Sequence, residues 1–193
     1  MRGSRANVIS GRVIRTSRHS ATLSLLLALT WSVAASAQQD SMRACNLLTP
    51  TELSSAIGGS LGHPTGIFTP KNPRLDRNGD FWSCQETVGT HEVWIFYNTL
   101  QVTEEGKKLG HEMQDRLRKQ GFQIQNKEVS GSHCSTMVLP AGSKSSLVGT
   151  DCWRDKGPSH VAIKVGATGP NDLFPMEKVA SLTEKAASRV PGP

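Results

Sequence analysis

The stretch Phe81-Trp-Ser-Cys-Gln-Glu-Thr-Val-Gly-Thr-His-Glu-Val-Trp-Ile-Phe-Tyr-Asn98 decides the fold, because its pattern returns 68 positions later as Gly149-Thr-Asp-Cys-Trp-Arg-Asp-Lys-Gly-Pro-Ser-His-Val-Ala-Ile-Lys-Val-Gly166. In each copy a cysteine is followed nine residues on by a Val-x-Ile triplet, Val93 to Ile95 and Val161 to Ile163, with a glycine-led turn between. Both copies read as β-hairpins. Gly89-Thr90 and Gly157-Pro158 suit two-residue II′ turns, which want Gly first, and this register sets Cys84 opposite Ile95 and Cys152 opposite Ile163. Each hairpin is followed by a helical pattern. Two such hairpin-plus-helix units predict an α+β fold, a mostly antiparallel sheet with helices packed against it.

Side chains alternate across a strand, so the hairpins also predict two faces. Cys84, Val93, Ile95, Cys152, Val161, Ile163 and Val165 share one, the expected core. The opposite face receives Trp94, Phe96 and Trp153 beside small or polar partners. There are two readings of these aromatics. Either the helix predicted over Thr103 to Gln120 covers them as a second core layer, or they stay open as a ligand platform with Lys164, Asp155 or the Lys71 to Arg77 loop as polar help. Trp94, Phe96, Trp153 and Lys164 are therefore the candidate ligand-binding residues.

The first 37 residues stand apart. Five arginines (Arg2, Arg5, Arg12, Arg15, Arg18) precede the apolar run Leu23 to Leu29 and the small-residue sequence Ala35-Ser36-Ala37. That order is a secretory signal peptide with cleavage expected after Ala37, leaving residues 38–193 as one exported domain in the periplasm or outside the cell. An uncleaved segment retained as an anchor is the alternative. The apolar run is short for a membrane span, and stable insertion after cleavage is not expected. Without those five arginines the 22 basic residues become 17 against 16 acidic ones, a net charge of +1. The basic character of the whole chain thus belongs to the export signal, and nucleic-acid binding loses its electrostatic basis.

Four cysteines in an exported chain predict two disulfides, for which three connectivities exist. Cys134 and Cys152 lie symmetrically about Ser143, so a hairpin of Met137 to Pro140 with Ser146 to Thr150 would bring them together and leave Cys45 for Cys84. The competing pairing joins Cys84 to Cys152, the two equivalent hairpin positions.

Upstream of the first hairpin, Thr49-Pro-Thr-Glu52 is a helix start. Thr49 is the N-cap, Glu52 completes a capping box and Pro50 fills the first helical position, while Leu48 and Leu53 are placed as a hydrophobic staple. Gly58 stops this helix. Cys45-x-Leu-Leu-Thr-x-x-Glu-Leu53 resembles the opening of a family of small bacterial secreted lipoproteins of unknown function, whose relatives include extracellular sensor domains of some receptor kinases. The resemblance continues more loosely through the Cys84 strand, Val129-Ser130-Gly131 and the last hairpin and helix. The chain departs from it in lacking a lipobox before Cys45 and in carrying the extra pair Cys134 and Cys152. It implies a binding or sensing role and places no catalytic residue.

Further elements follow from composition. Leu61 to Phe68 reads as a strand, Thr69 to Asp80 as a polar loop, Phe122 to Val129 as a strand and Ser130 to His133 as a turn. The helix over Thr103 to Gln120 has a narrow stripe of Leu109, Met113 and Leu117, whereas Met176, Val179, Ala180, Leu182, Ala186 and Val190 give the last helix a broad apolar face.

Three motif fragments point to chemistry and are better read as structure. Gly58-Gly-Ser-Leu-Gly62 matches G-x-S-x-G with the helix before the serine, where a nucleophile elbow needs it after. His111-Glu112 is half of a zinc-protease helix without its second histidine. Asp76, Asn78 and Asp80 share three calcium-loop positions, yet Phe81 stands where the loop needs Gly. With no C-x-x-C or H-x-x-x-H spacing, neither a metal nor another cofactor is expected. The expected role is an exported, non-catalytic binding or sensing domain for a small molecule or an envelope protein. An inhibitor or assembly factor for an envelope protein, or a hydrolase whose site forms only on folding, are the alternatives.

Overall fold

A computed structural model describes residues 40–71, 79–99, 103–139, 149–167 and 172–190. The segment expected to be an export signal, residues 72–78 of the polar loop, the centre of the Cys134 to Cys152 hairpin and residues 191–193 lie outside them. After a 3₁₀ turn at Cys45–Leu47 come helix α1 (Pro50–Ile57), strands β1 (Thr65–Thr69), β2 (Phe81–Val88) and β3 (His91–Asn98), and helix α2 (Glu104–Lys119). Strands β4 (Gln123–Val129), β5 (Ser132–Val138), β6 (Gly149–Lys156) and β7 (Ser159–Gly166) and helix α3 (Met176–Arg189) complete the chain.

All seven strands form one antiparallel sheet in the order β1-β2-β3-β7-β6-β5-β4. Two meanders, β1 to β3 and β4 to β7, meet where β3 pairs with β7. The repeated hairpins are thus neighbours at the centre of the sheet, with Ile95 opposite Ile163. Their turns obey the expected chemistry: Gly89 and Gly157 have φ of 61° and 58° and begin two-residue loops. The turn expected at Ser130 to His133 is tighter, Ser130-Gly131 alone, with positive φ at both residues.

One row of side chains holds the sheet together. Cys84, Ile95, Ile163, Cys152 and Cys134 are successive partners across β2, β3, β7, β6 and β5. Disulfides close both ends, Cys45 to Cys84 and Cys134 to Cys152. Cys84 and Cys152 stand three strand spacings apart, roughly 14 Å, too far for the competing bond. Nearer one end of the sheet, Phe68, Trp82 and Tyr97 stack in a parallel row at 5.0 and 4.8 Å, with the Arg43 guanidinium over Trp82 and Tyr97.

The core lies on this face. Val93, Ile95, Val161, Ile163 and Val165 are buried, and α3, whose Val179, Ala180, Leu182, Thr183, Ala186 and Ala187 are buried, packs on the β4 to β7 half of the sheet. The three alanines let the helix come close to the sheet. A fully buried leucine such as Leu182 stabilises by about 2 kcal/mol in transfer terms. Helix α1 docks by Leu53 and starts with the expected capping box, the Thr49 hydroxyl accepting from the Glu52 amide and the Glu52 carboxylate accepting from the Thr49 amide. The same carboxylate accepts two hydrogen bonds from Arg189 at the end of α3, at 2.7 and 2.8 Å, which ties the first helix to the last.

One expectation needs correction. The strand predicted from Leu61 starts at Thr65 instead, with Leu61 making an isolated bridge to Val88. Pro64 has no amide to donate, so pairing cannot run continuously through it. The G-x-S-x-G fragment is a close backbone crossing: a Cβ on Gly59 would lie 2.6 Å from the Gly89 Cα, and Gly59 itself has φ of 101°. Asp80 closes the end of the polar loop, accepting from the Lys71 amide and donating its own amide to the Thr99 hydroxyl.

Candidate functional site

The second face of the sheet is built by the residues between the core positions. Reading across the strands, Phe96, Ala162, Trp153, His133 and Glu128 form one row, and Trp94, Lys164, Asp151, Ser135 and Asn126 form the next. The four candidate residues therefore do share a face, and all four are half-buried. Trp94 lies against β7, so close that a Cβ on Gly166 would meet its ring at 3.0 Å, and the Lys164 ammonium sits 5.5 Å from that ring. Phe96 stacks on Phe81 at 6.1 Å. Trp153 turns the other way, toward the His133 ring at 5.8 Å. The aromatics are thus two groups separated by the small side chain of Ala162.

Helix α2 does not seal this face as a second core layer. Leu109 and Met113 are 58% and 61% exposed, and only Leu117 of the predicted stripe is half-buried. The helix follows the edge strand β4, where the Asn126 amide donates to the Gln114 side-chain carbonyl at 3.2 Å. The physical reason is the width of the stripe. Three residues at i, i+4 and i+8 flanked by charges cannot cover a sheet, whereas a packed helix shows a far broader apolar face.

Leaning over the edge leaves a cleft of about 310 Å³ between α2 and strands β4 to β6. His111 and Gln114 line it from the helix, Asn126, Glu128 and His133 from the sheet, and Trp153 is its largest apolar wall. Lys127 and Cys134 border it from the alternate register: the Lys127 ammonium reaches Glu177 of α3, and the Cys134 sulfur is in the disulfide. The volume is at the lower end of the roughly 300–1,000 Å³ usual for small-molecule sites.

Of the residues proposed from sequence, the cleft takes in Trp153, while Trp94, Phe96 and Lys164 continue the same face beyond Ala162. Asp155 hydrogen-bonds His160 at 2.7 Å, on this face at the end of the sheet. Sequence reasoning missed His133 and Glu128, although the Cys134 to Cys152 register places His133 beside Trp153 and Glu128 beside His133. It had no signal for His111 and Gln114, whose position depends on how α2 tilts. Asp151 was missed as well. Burial pushes its carboxyl up to about 6, against the pull of the Lys164 charge opposite it.

Among the described residues no cluster of three histidines, cysteines or carboxylates is arranged to hold a metal ion, and no helix is long and apolar enough to cross a membrane. No family model matches the chain, and no curated protein matches it.

Proposed function

We propose that this chain is an exported, non-catalytic binding or sensing domain, and that the outer sheet face centred on Trp153 is its ligand surface. The observation that carries the reading is the concave site itself: an indole left half-open in a cleft whose other walls are hydrogen-bonding side chains. A core residue of that size would be sealed, and a surface residue without a role would not be framed by converging polar groups. Two disulfides suit an oxidising compartment, and the signal-like leader supports delivery to the periplasm or beyond after cleavage at Ala37. The likeness of the Cys45 to Leu53 opening to small secreted lipoproteins and sensor domains supports the same role. A small molecule is the preferred partner. A protein of the envelope is the second reading, favoured by the exposed Leu109 and Met113 on the helix that carries His111 and Gln114.

Native mass spectrometry of the exported protein tests this. The wild-type chain is expected to carry a bound molecule or partner that the folded Trp153→Ala variant has lost. Identical spectra for the two proteins would remove the cleft from the reading.

A further inference from the structure

The chemistry of the cleft is selective about what it can hold. Its apolar wall is flat, made by Trp153 and the neighbouring His133 ring. Its remaining side chains are two carboxamides, Gln114 and Asn126, one carboxylate, Glu128, and the imidazole of His111. The one lysine at its border spends its ammonium on Glu177, and Arg154 of the floor strand turns away to the carbonyls of Ser130 and Gly131 and to Glu184. Among the described residues lining the cleft, no arginine or lysine head group is thus left for a ligand. A phosphate or carboxylate ligand would meet Glu128 with nothing to balance its charge, which disfavours anions.

Carboxamides both donate and accept, and a carboxylate accepts from two donors at once. Such a set matches adjacent hydroxyl groups, while an indole face matches a patch of C–H groups. A pyranose ring has both, polar at its rim and apolar on its face. The site is also open along the sheet. Beyond Trp153 the row continues over Ala162 to Phe96, two strand spacings or roughly 9.6 Å away. Small Ala162 leaves the floor low between two aromatic stations, with Asp151 and Lys164 alongside.

We propose, resting on the binding role above, that the cleft holds an uncharged pyranose unit, stacked on Trp153 and hydrogen-bonded by Gln114, Asn126 and Glu128, as part of a glycan that runs over Ala162 toward Phe96. The ligand is a sugar chain, whether free in solution or belonging to a wall polysaccharide.

Tryptophan fluorescence titration with N-acetylchitotriose, cellotriose and maltotriose tests the soluble source, and co-sedimentation with insoluble cell-wall glycan tests the wall source. The wild type should show saturable binding to at least one of these. Trp153→Ala should bind at least 100-fold more weakly, and Glu128→Gln, an exposed change that leaves packing alone, about 10-fold more weakly. Sedimentation without trisaccharide binding would assign the ligand to the wall polymer; trisaccharide binding without sedimentation would assign it to free oligosaccharides. Absence of binding in both arms, binding indifferent to Glu128→Gln, or tighter binding of tetramethylammonium than of any sugar would each overturn the proposal. If the sugars fail while Trp153→Ala still strips a co-purifying molecule, the pyranose assignment falls and the binding role stands.

Discussion

The two faces of the central sheet are written in the same strands and end up differently. Ile95 and Ile163 point one way and are sealed, whereas Trp94, Phe96 and Trp153, no less apolar, point the other way and stay half-open. Strand alternation creates both sets without deciding between them. The helices decide. Helix α3 presents six buried residues, three of them alanine, and lies close on the sheet. Helix α2 offers a single file of three apolar residues between charged flanks, and two of those remain in solvent. Burial is therefore a property of the pair of surfaces, and an aromatic strand face met by a narrow helix stays partly open to solvent.

The strongest way to break this contrast is from the sealed side. Ile163→Ala should cost about 2–5 kcal/mol, the range for deleting a buried aliphatic side chain, because α3 and the paired strands leave little room to collapse. Urea unfolding would measure it, and a loss below 1 kcal/mol would mean that the face is not the core. Replacing both Cys134 and Cys152 by Ala should cost about 3 kcal/mol by loop-closure entropy for an 18-residue separation. The row of partners ends there, so β4 and β5 should lose hydrogen-exchange protection before the central hairpins do.

The open side responds differently to pH. Asp151 holds its proton up to about pH 6 in the folded protein and up to about 4 when unfolded. Between those values the native state binds more protons than the unfolded state, so stability falls as pH rises from about 4 to 6 and is level above that. Asp151→Asn should flatten this fall and raise stability near pH 7 by up to about 3 kcal/mol, a figure in which the Lys164 attraction is already counted. Thermal melts across that range would check it. Glu52 works in the opposite direction. The Arg189 hydrogen bond and the Thr49 amide hold its carboxyl down to about 2, so its contribution is complete above about pH 4.5 and disappears as pH falls toward 2. Arg189→Met should reduce that acid sensitivity, leaving the part due to the Thr49 hydrogen bonds, as acid titration of the folded fraction would show. The smallest effect is expected on α2, where Leu109→Gln and Met113→Gln should change stability by less than about 0.5 kcal/mol.

Much of the sealed face was legible in the sequence and little of the open one. The repeated cysteine spacing, the two glycine-led turns and the symmetry about Ser143 were enough to place Cys84, Ile95, Ile163, Cys152 and Cys134, since hairpin register follows from local turn chemistry. The capping box at Thr49 was equally local. Membership of Trp94, Phe96, Trp153 and Lys164 in one face followed from alternation, yet their separation into two groups did not, because ring direction depends on neighbours such as Gly166 and His133 that come from other strands. The cleft was out of reach for a further reason. His111 and Gln114 meet Asn126 and Glu128 only through the tilt of α2, which is set by how little of that helix the sheet can hold.

The most direct test compares two substitutions on opposite faces of the sheet, Trp153→Ala and Ile163→Ala, in one set of urea unfolding curves. An open binding face predicts that Trp153→Ala keeps stability within about 1 kcal/mol of wild type, as for a change outside the core, while Ile163→Ala loses several times more. A loss of about 3–5 kcal/mol at Trp153, the cost of truncating a core aromatic, would contradict the account and make the outer face a second core.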